Sequence, residues 1–96
     1  MRSIVVSMQN MLLSEAVART LAETGEFRVE QVLPGKTSDT FSLCRAMQAD
    51  ILLMEVSRLP AYALENRLNL IACVRKLMPS CKFVLLCDEN VDPELA

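Results

Sequence analysis

The stretch Asp50-Ile51-Leu52-Leu53-Met54-Glu55 decides the fold of this chain. Four apolar residues in succession, between two acids, are typical of a strand that is buried on both faces of a parallel sheet. We therefore expect a strand over Ile51–Val56. Glu55 stands near its end, where parallel α/β proteins usually place their binding or catalytic groups.

Three further stretches predict strands around this one. Ile4-Val5-Val6 and Lys82-Phe83-Val84-Leu85-Leu86-Cys87 are also apolar runs and predict the first and fourth strands. Residues 27–33 alternate less regularly between apolar and polar, so they predict a second strand that borders solvent. Pro34-Gly35 is expected to end that second strand.

Apolar residues between these strands recur at helical spacing. Asn10 predicts the N-cap of a first helix and Gly25 its end, while Thr37 or Ser38 predicts the cap of a second and Pro79 stops a third. The apolar positions of the second helix are Phe41, Leu43, Cys44 and Met47. Those of the third helix are Leu64, Leu68, Leu70, Ile71, Val74 and Leu77. Strand and helix alternate, which predicts a parallel α/β sheet with helices on both faces.

Composition places the chain among small globular domains and excludes several kinds of function. The 96 residues are 52% hydrophobic and carry a net charge of -2, which fits one domain over residues 1–96 without a basic surface for nucleic acid. The chain has no histidine, so Ser-His and Cys-His nucleophile pairs and histidine metal sites are excluded within it. No apolar run approaches membrane-spanning length, and we expect a cytoplasmic protein.

The four cysteines do not predict a disulfide framework or a metal site. Cys44, Cys73, Cys81 and Cys87 include no C-x-x-C pair and have no histidine to assist them. Free cysteine is among the most buried residue types, and thiols of cytosolic proteins stay reduced. We therefore expect all four to be reduced, buried small side chains.

This order of elements resembles the receiver domain of bacterial two-component response regulators, particularly those joined to helix-turn-helix output domains. The resemblance covers the whole chain and includes the opening Ile4-Val5-Val6, the strand from Asp50 to Ser57 and the strand Lys82 to Cys87. Leu12-Leu13-Ser14-Glu15-Ala16 looks like the family's first helix, and Val74-Arg75-Lys76-Leu77-Met78-Pro79 leads into strand four. The resemblance implies a flavodoxin-like sheet with strand order 2-1-3-4, whose fifth strand is missing here.

The positions that carry the chemistry of that family are altered in this chain. The family holds Mg²⁺ with an acidic pair after strand one, where the resemblance places Met8 and Gln9. The phosphoacceptor aspartate corresponds to Glu55, and the Thr or Ser that ends strand four corresponds to Cys87. The family's lysine, at the end of strand five, lies beyond Ala96. Met8 and Gln9 lack the anionic oxygens that Mg²⁺ prefers, so we expect no metal and no cofactor.

The altered positions predict a receiver that is not phosphorylated in the usual way and is not an enzyme. Phosphoryl transfer needs a metal and fixed cations to neutralise the oxygens of the transferred group. Two interpretations of Glu55 stay open. Its negative charge is either a permanent, partial substitute for the phosphorylated state or an acid left solvated at the strand end.

The predicted function is regulation through protein-protein contacts, within signal transduction and transcription regulation. Asp92 and Pro93 carry helix-start signals, so we expect a domain truncated at the start of its fourth helix. We expect a homo-oligomer or domain exchange that covers Val84 and Leu86, with DNA bound only through an absent output domain and no membrane partner. The alternatives are a stand-alone scaffold or interaction protein, and a small-ligand-binding α/β domain.

Overall fold

A computed structural model describes residues 1–32, 39–59 and 62–87. Four strands and three helices alternate in these residues: β1 (Arg2–Ser7), α1 (Met11–Glu23), β2 (Phe27–Gln31), α2 (Thr40–Met47), β3 (Ile51–Val56), α3 (Leu64–Leu77) and β4 (Lys82–Cys87). All strand pairs are parallel, and the strand order is β2-β1-β3-β4. The predicted flavodoxin-like α/β arrangement with order 2-1-3-4 is confirmed.

Local signals at both ends of α1 act as the sequence predicts. The backbone of Asn10 is extended, and its side-chain oxygen accepts a hydrogen bond from the Leu13 N–H at 3.0 Å. This bond satisfies one of the amide groups that a helix leaves without an internal partner. After the helix, Gly25 takes a φ of +74°, which a residue without a Cβ adopts at little cost. Asn10 and Gly25 therefore delimit α1.

The second helix begins close to its predicted position. Its N-cap residue is Asp39 and its first helical residue is Thr40, whereas the predicted caps Thr37 and Ser38 lie outside the described residues. At its other end, Gln48 adopts a left-handed conformation with φ of 52°. This conformation lets the chain leave the helix and enter β3 within three residues.

The buried stripe of α3 differs from the predicted one. Leu68 and Leu77, expected in the core, are 48% and 56% exposed, while Arg67 and Val74 are buried. The stripe that faces the sheet follows positions 67, 70, 71 and 74, which share one side of a helix. The prediction was wrong because it considered only apolar residues and so left out Arg67. As predicted, the helix ends before Pro79.

The two faces of the sheet carry separate apolar clusters, because side chains alternate along each strand. On one face, Val5, Leu52 and Met54 pack against residues of α2 and α3. On the other face, Ile4 and Val6 pack against residues of α1. None of the helices in the described part of the chain is both long enough and apolar enough to cross a membrane.

The fourth strand exposes the apolar residues for which the sequence predicts a covering partner. It forms one edge of the sheet, beside β3, and Val84 and Leu86 are 42% and 39% exposed. Phe83 packs against the cluster on the α2 and α3 side. The predicted cover of helices on both faces does not extend to β4, because no described helix packs extensively on it. This agrees with the expectation that Val84 and Leu86 are uncovered within one copy of the domain.

The cysteines divide into two pairs rather than forming one buried set. All four are free thiols, and Cys44 and Cys81 are buried in one core cluster, as predicted. Cys73 and Cys87 are exposed, which contradicts the prediction for them. Burial raises the pKa of the Cys44 thiol to about 12. Since the thiolate is the nucleophile, this side chain is doubly protected from reagents.

Alkylation of the native protein should therefore separate the four thiols. At about pH 8 we expect Cys73 and Cys87 to react with iodoacetamide at least tenfold faster than Cys44 and Cys81, since only the first two are exposed. Peptide mapping after a short exposure measures this. In denaturant the four rates should converge, and rapid native labelling of Cys44 would contradict the described core.

Candidate functional site

The carboxyl ends of β1 and β3 lie side by side and bring two of the predicted site residues, Gln9 and Glu55, together. The two strands are paired in parallel, with Ser7 beside Met54. The loop that contains Met8 and Gln9 therefore leaves the sheet next to the loop that follows Glu55. Groups from both loops meet at this edge, as the order of elements predicts.

A buried arginine joins the two strand ends. Arg67 is 2% exposed; its Nε donates to the carbonyl oxygen of Glu55 at 2.9 Å, and its Nη2 donates to that of Ser7 at 2.9 Å. The side chain reaches this point from the first turns of α3, where its own N–H donates to the Ala63 carbonyl at 3.0 Å. A single cation therefore connects β1, β3 and α3.

Tyr62 completes the surroundings of this cation. The guanidinium carbon of Arg67 lies 4.8 Å from the centre of the Tyr62 ring, a cation–π distance. The Tyr62 hydroxyl donates to the Met8 carbonyl at 3.4 Å. The backbone carbonyl of Tyr62 accepts from the Ser57 N–H at 3.0 Å. The ring thus closes over the guanidinium and ties together the loops after β1 and β3. We call Arg67, Tyr62 and the strand ends of Ser7 and Glu55 the arginine hub.

Burial and charge act in opposite directions within the hub. Burial lowers the pKa of Arg67, because it penalises the charged form, and the neighbouring Tyr62 and Glu55 counteract that shift. Burial also raises the pKa of Tyr62, which the Arg67 cation partly offsets. The carbonyl dipoles and the aromatic face are the groups that make a buried guanidinium tolerable here.

The side chain of Glu55 turns toward the loop after β1. It is half-buried, and its Oε1 accepts a hydrogen bond from the Gln9 N–H at 2.6 Å. A carboxylate that accepts from an amide makes a strong, charge-assisted bond. The structure thus places Glu55 and Gln9 together, through the backbone of Gln9 rather than through its side chain.

Met8 and Cys87 occupy different surroundings from Glu55. Met8 is buried and packs with Ile4 and Val6 in the cluster under α1. Cys87 is exposed at the end of β4, opposite Val56 in the strand register, while Leu86 lies opposite Glu55. Adjacent residues point to opposite faces of a sheet, so Cys87 and Glu55 lie on different sides.

Among the described residues, the buried polar side chains of the site are bonded to other protein groups. Ser7 and Thr40 are both buried, and their hydroxyl oxygens lie 3.4 Å apart. Throughout the described residues, every buried side-chain nitrogen or oxygen has a hydrogen-bond partner. The same residues contain no group of three or more Cys, Asp and Glu side chains that could surround a metal ion. The strand ends therefore hold one buried cation, Arg67, and one acid, Glu55, each hydrogen-bonded to backbone groups.

Sequence reasoning missed Arg67 and gave Tyr62 no central role. One signal was present: Arg67 precedes Leu70, Ile71 and Val74 by three, four and seven residues, so it lies on their side of the helix. An arginine on the apolar side of a helix is buried as a cation only if hydrogen-bond acceptors lie close to its guanidinium group. Those acceptors, the Ser7 and Glu55 carbonyls, come from distant parts of the chain.

Comparison with known proteins adds no relative. No protein-family model matches this chain, and no curated protein matches it. The fold and the arginine hub therefore carry the functional inference by themselves.

Replacing Arg67 with methionine should destabilise the protein strongly. The variant keeps much of the side-chain volume but leaves the Ser7 and Glu55 carbonyls without these donors, which costs about 2–4 kcal/mol. Urea unfolding followed by circular dichroism measures the loss. Arg75→Met is the matched control, because the Arg75 guanidinium carbon lies 5.7 Å from the centre of the Phe83 ring but the residue is exposed. This variant should lower the free energy of unfolding by about 1 kcal/mol or less. Equal effects of the two variants would contradict the importance of the hub.

The raised pKa of Tyr62 predicts a loss of stability at alkaline pH. The folded state holds the phenolic proton more tightly than the unfolded state, so this contribution is complete below the unfolded pKa of about 10 and is lost as the pH rises through the folded value. Tyr62 is the only tyrosine, so tyrosinate absorbance titrates it directly.

The titration should give an apparent pKa above that of unfolded tyrosine in the same buffer. Tyr62→Phe should retain only the share of the alkaline loss that comes from the buried thiols, whose pKa values are also raised. A folded-state Tyr62 pKa at or below the unfolded value would show that the ring is not desolvated.

Proposed function

We propose that this chain is a degenerate receiver-like domain that is not phosphorylated in the usual way and regulates through contacts with other protein chains. The proposal places it in signal transduction and transcription regulation, with DNA reached only through an output domain. The support comes from the fold and from the strand-end chemistry. The strand order 2-1-3-4 and the presence of an acid, Glu55, near the end of β3 fit a receiver-like domain with an altered site.

The observation that carries the proposal is the position of the Arg67 guanidinium. In the family that the chain resembles, an acidic pair after strand one holds Mg²⁺, and the acid that ends strand three accepts the phosphoryl group. Here a protein cation bonds to the carbonyls of Ser7 and Glu55 at those same strand ends. A fixed positive charge repels a divalent ion, and Met8 and Gln9 add no carboxylate to attract one.

Arg67 does not replace the metal as a catalyst. Its side chain is buried, two of its N–H groups point at backbone carbonyls, and Tyr62 covers one of its faces. A group that stabilises a transferring phosphoryl must reach the phosphoryl oxygens. The Glu55 carboxylate is itself bonded to the Gln9 N–H. The site therefore has the features of a structural centre, which leaves surface contact as the output of the domain.

The small-ligand alternative receives less support from the same geometry. A nucleotide-binding loop needs glycine for close approach of phosphate groups, and the segment from Ser7 to Asn10 contains none. The buried polar groups around Arg67 are already paired with one another. A stand-alone interaction protein remains the second candidate, since exposed apolar residues on β4 and α1 fit either kind of protein-binding domain.

Incubation with acetyl phosphate and Mg²⁺ tests the proposal directly. We expect the intact mass of the protein to stay unchanged, because neither a metal site nor an accessible cation assists the transfer. A receiver domain with the complete set of acids, treated in the same tube and separated by mass, is the positive control. A stoichiometric phosphate adduct on this chain would refute the proposal.

A further inference from the structure

The strand β2 lies at the edge of the sheet opposite β4, and in the described part of the chain it pairs with β1 alone. Two hydrogen bonds show which of its backbone groups β1 uses. The Val32 N–H donates to the Val6 carbonyl at 2.8 Å, and the Glu26 carbonyl accepts from the Arg2 N–H at 3.3 Å. The even-numbered residues along β2 therefore direct their backbone groups toward β1.

The odd-numbered residues of β2 direct their backbone groups away from β1. Successive residues of a strand point their N–H and C=O groups to opposite sides, so every second residue bonds to the same neighbour. The residues that face outward are Phe27, Val29 and Gln31. A row of such donors and acceptors is a template for a further strand.

The exposed side chains of β2 carry charges of opposite sign. Arg28 and Glu30 are exposed and lie two residues apart, so they are on the same face of the sheet. Neither forms an ion pair with another described residue. A charged edge strand usually resists pairing with another chain. Here, however, a second β2 running in the opposite direction would set each charge against its complement.

We propose that two copies of this chain join along β2, with the two strands antiparallel about a two-fold axis beside Val29. Arg28 of each copy then lies opposite Glu30 of the other, and the outward backbone groups of Phe27, Val29 and Gln31 bond across the seam. The charged pairs occupy the positions without hydrogen bonds, where opposite Cα atoms are only about 4.5 Å apart. The inference rests on the proposed function, since it names a protein contact through which the domain acts.

The charges select this register over its neighbours. Moving one strand by a single residue would turn the outward backbone groups out of line with each other. A shift of two residues in one direction would place Arg28 opposite Arg28 of the second copy and Glu26 opposite Glu30. The same shift in the other direction would place Glu30 opposite Glu30. Like charges directly opposite each other are destabilising, so the sequence of β2 favours one pairing.

The other edge of the sheet has no such complementarity. Lys82 is the only charged residue within β4, so a pair of β4 strands gains no ion pair to set its register. The inferred contact therefore differs from the one that the sequence predicts, which would cover Val84 and Leu86. Because the β2 contact is the same on both copies, its two-fold axis closes the assembly at a dimer.

The helix α1 adds a second contact on one face of the joined sheet. It packs on β2 more extensively than on β1. Ser14 is bonded to the last residue of β2 at 2.9 Å, and four helical residues span about the length of two strand residues. Ala18 therefore lies level with Val29, and its small side chain lets the two helices approach at the axis. The exposed Glu15–Arg19 ion pair carries both signs and adds no net charge.

Reversal of each charge tests the inference. Arg28→Glu and Glu30→Arg each place like charges opposite each other twice in the dimer, so each should raise the dimer dissociation constant at least about tenfold at low salt. The first variant makes the net charge of -2 more negative, whereas the second neutralises it. A loss of affinity in both variants therefore cannot come from net charge.

A mixture of the two variants should restore the dimer. In an equimolar mixture, every mixed pair of chains has unlike charges at both positions, so its dissociation constant should return to within about threefold of the parent value. The double variant R28E/E30R should recover in the same way. Sedimentation velocity of the 96-residue chain at up to about 100 µM measures each sample, and circular dichroism confirms that each variant is folded.

Val84→Lys is the control for the opposite edge. Val84 is 42% exposed on β4, so this substitution should leave the dissociation constant within about twofold of the parent value.

Three results would overturn the inference: a monomeric parent protein at about 100 µM, a mixture of Arg28→Glu and Glu30→Arg chains that stays as dissociated as either alone, and a dimer that Val84→Lys disrupts. None of them is confused with failure of the proposed function. A phosphate adduct in the acetyl phosphate experiment is a change of mass that does not depend on the oligomeric state.

Discussion

The interaction on which the rest of the structure depends is the pair of hydrogen bonds from Arg67 to the carbonyls of Ser7 and Glu55. A buried charge is costly unless it is hydrogen-bonded, and here two carbonyl dipoles and the Tyr62 ring replace the lost water. Because the acceptors belong to neighbouring strands and the donor to α3, this one side chain holds the carboxyl edge of the sheet to the helix layer.

The hub also changes what the carboxyl edge can do. In parallel α/β proteins this edge usually stays open for ligands, because the loops there diverge. Here Tyr62 closes over the guanidinium, and the Glu55 carboxylate is bonded to the backbone of the opposite loop. The strand end that presents a reactive acid in many α/β proteins is here held by hydrogen bonds to the neighbouring loop. Burial of exposed apolar residues such as Leu12 and Val84 against another protein would then be the favourable contact that this surface offers.

Local patterns were sufficient to predict most of the fold but not the hub. The apolar run of β3 and the Asn10 cap are properties of consecutive residues, so they can be read without knowledge of the rest of the chain. Whether Arg67 is buried depends on acceptors 12 and 60 residues away, which no local pattern contains. The exposure of Val84 and Leu86 on β4, by contrast, was expected, because the resemblance implies that the fifth strand beside β4 is missing. The contact between the Gln9 N–H and the Glu55 carboxylate follows from the parallel pairing of β1 and β3, which brings the ends of these strands side by side.

The aromatic composition makes the hub visible to spectroscopy. The chain contains one tyrosine and no tryptophan, so the near-ultraviolet emission of the protein comes essentially from the ring that lies 4.8 Å from the Arg67 guanidinium. Emission from this ring depends on its solvent exposure and on the charge beside it. The intrinsic fluorescence of this protein is therefore a report on a single contact, and movement of α3 away from the sheet would alter it without any introduced label.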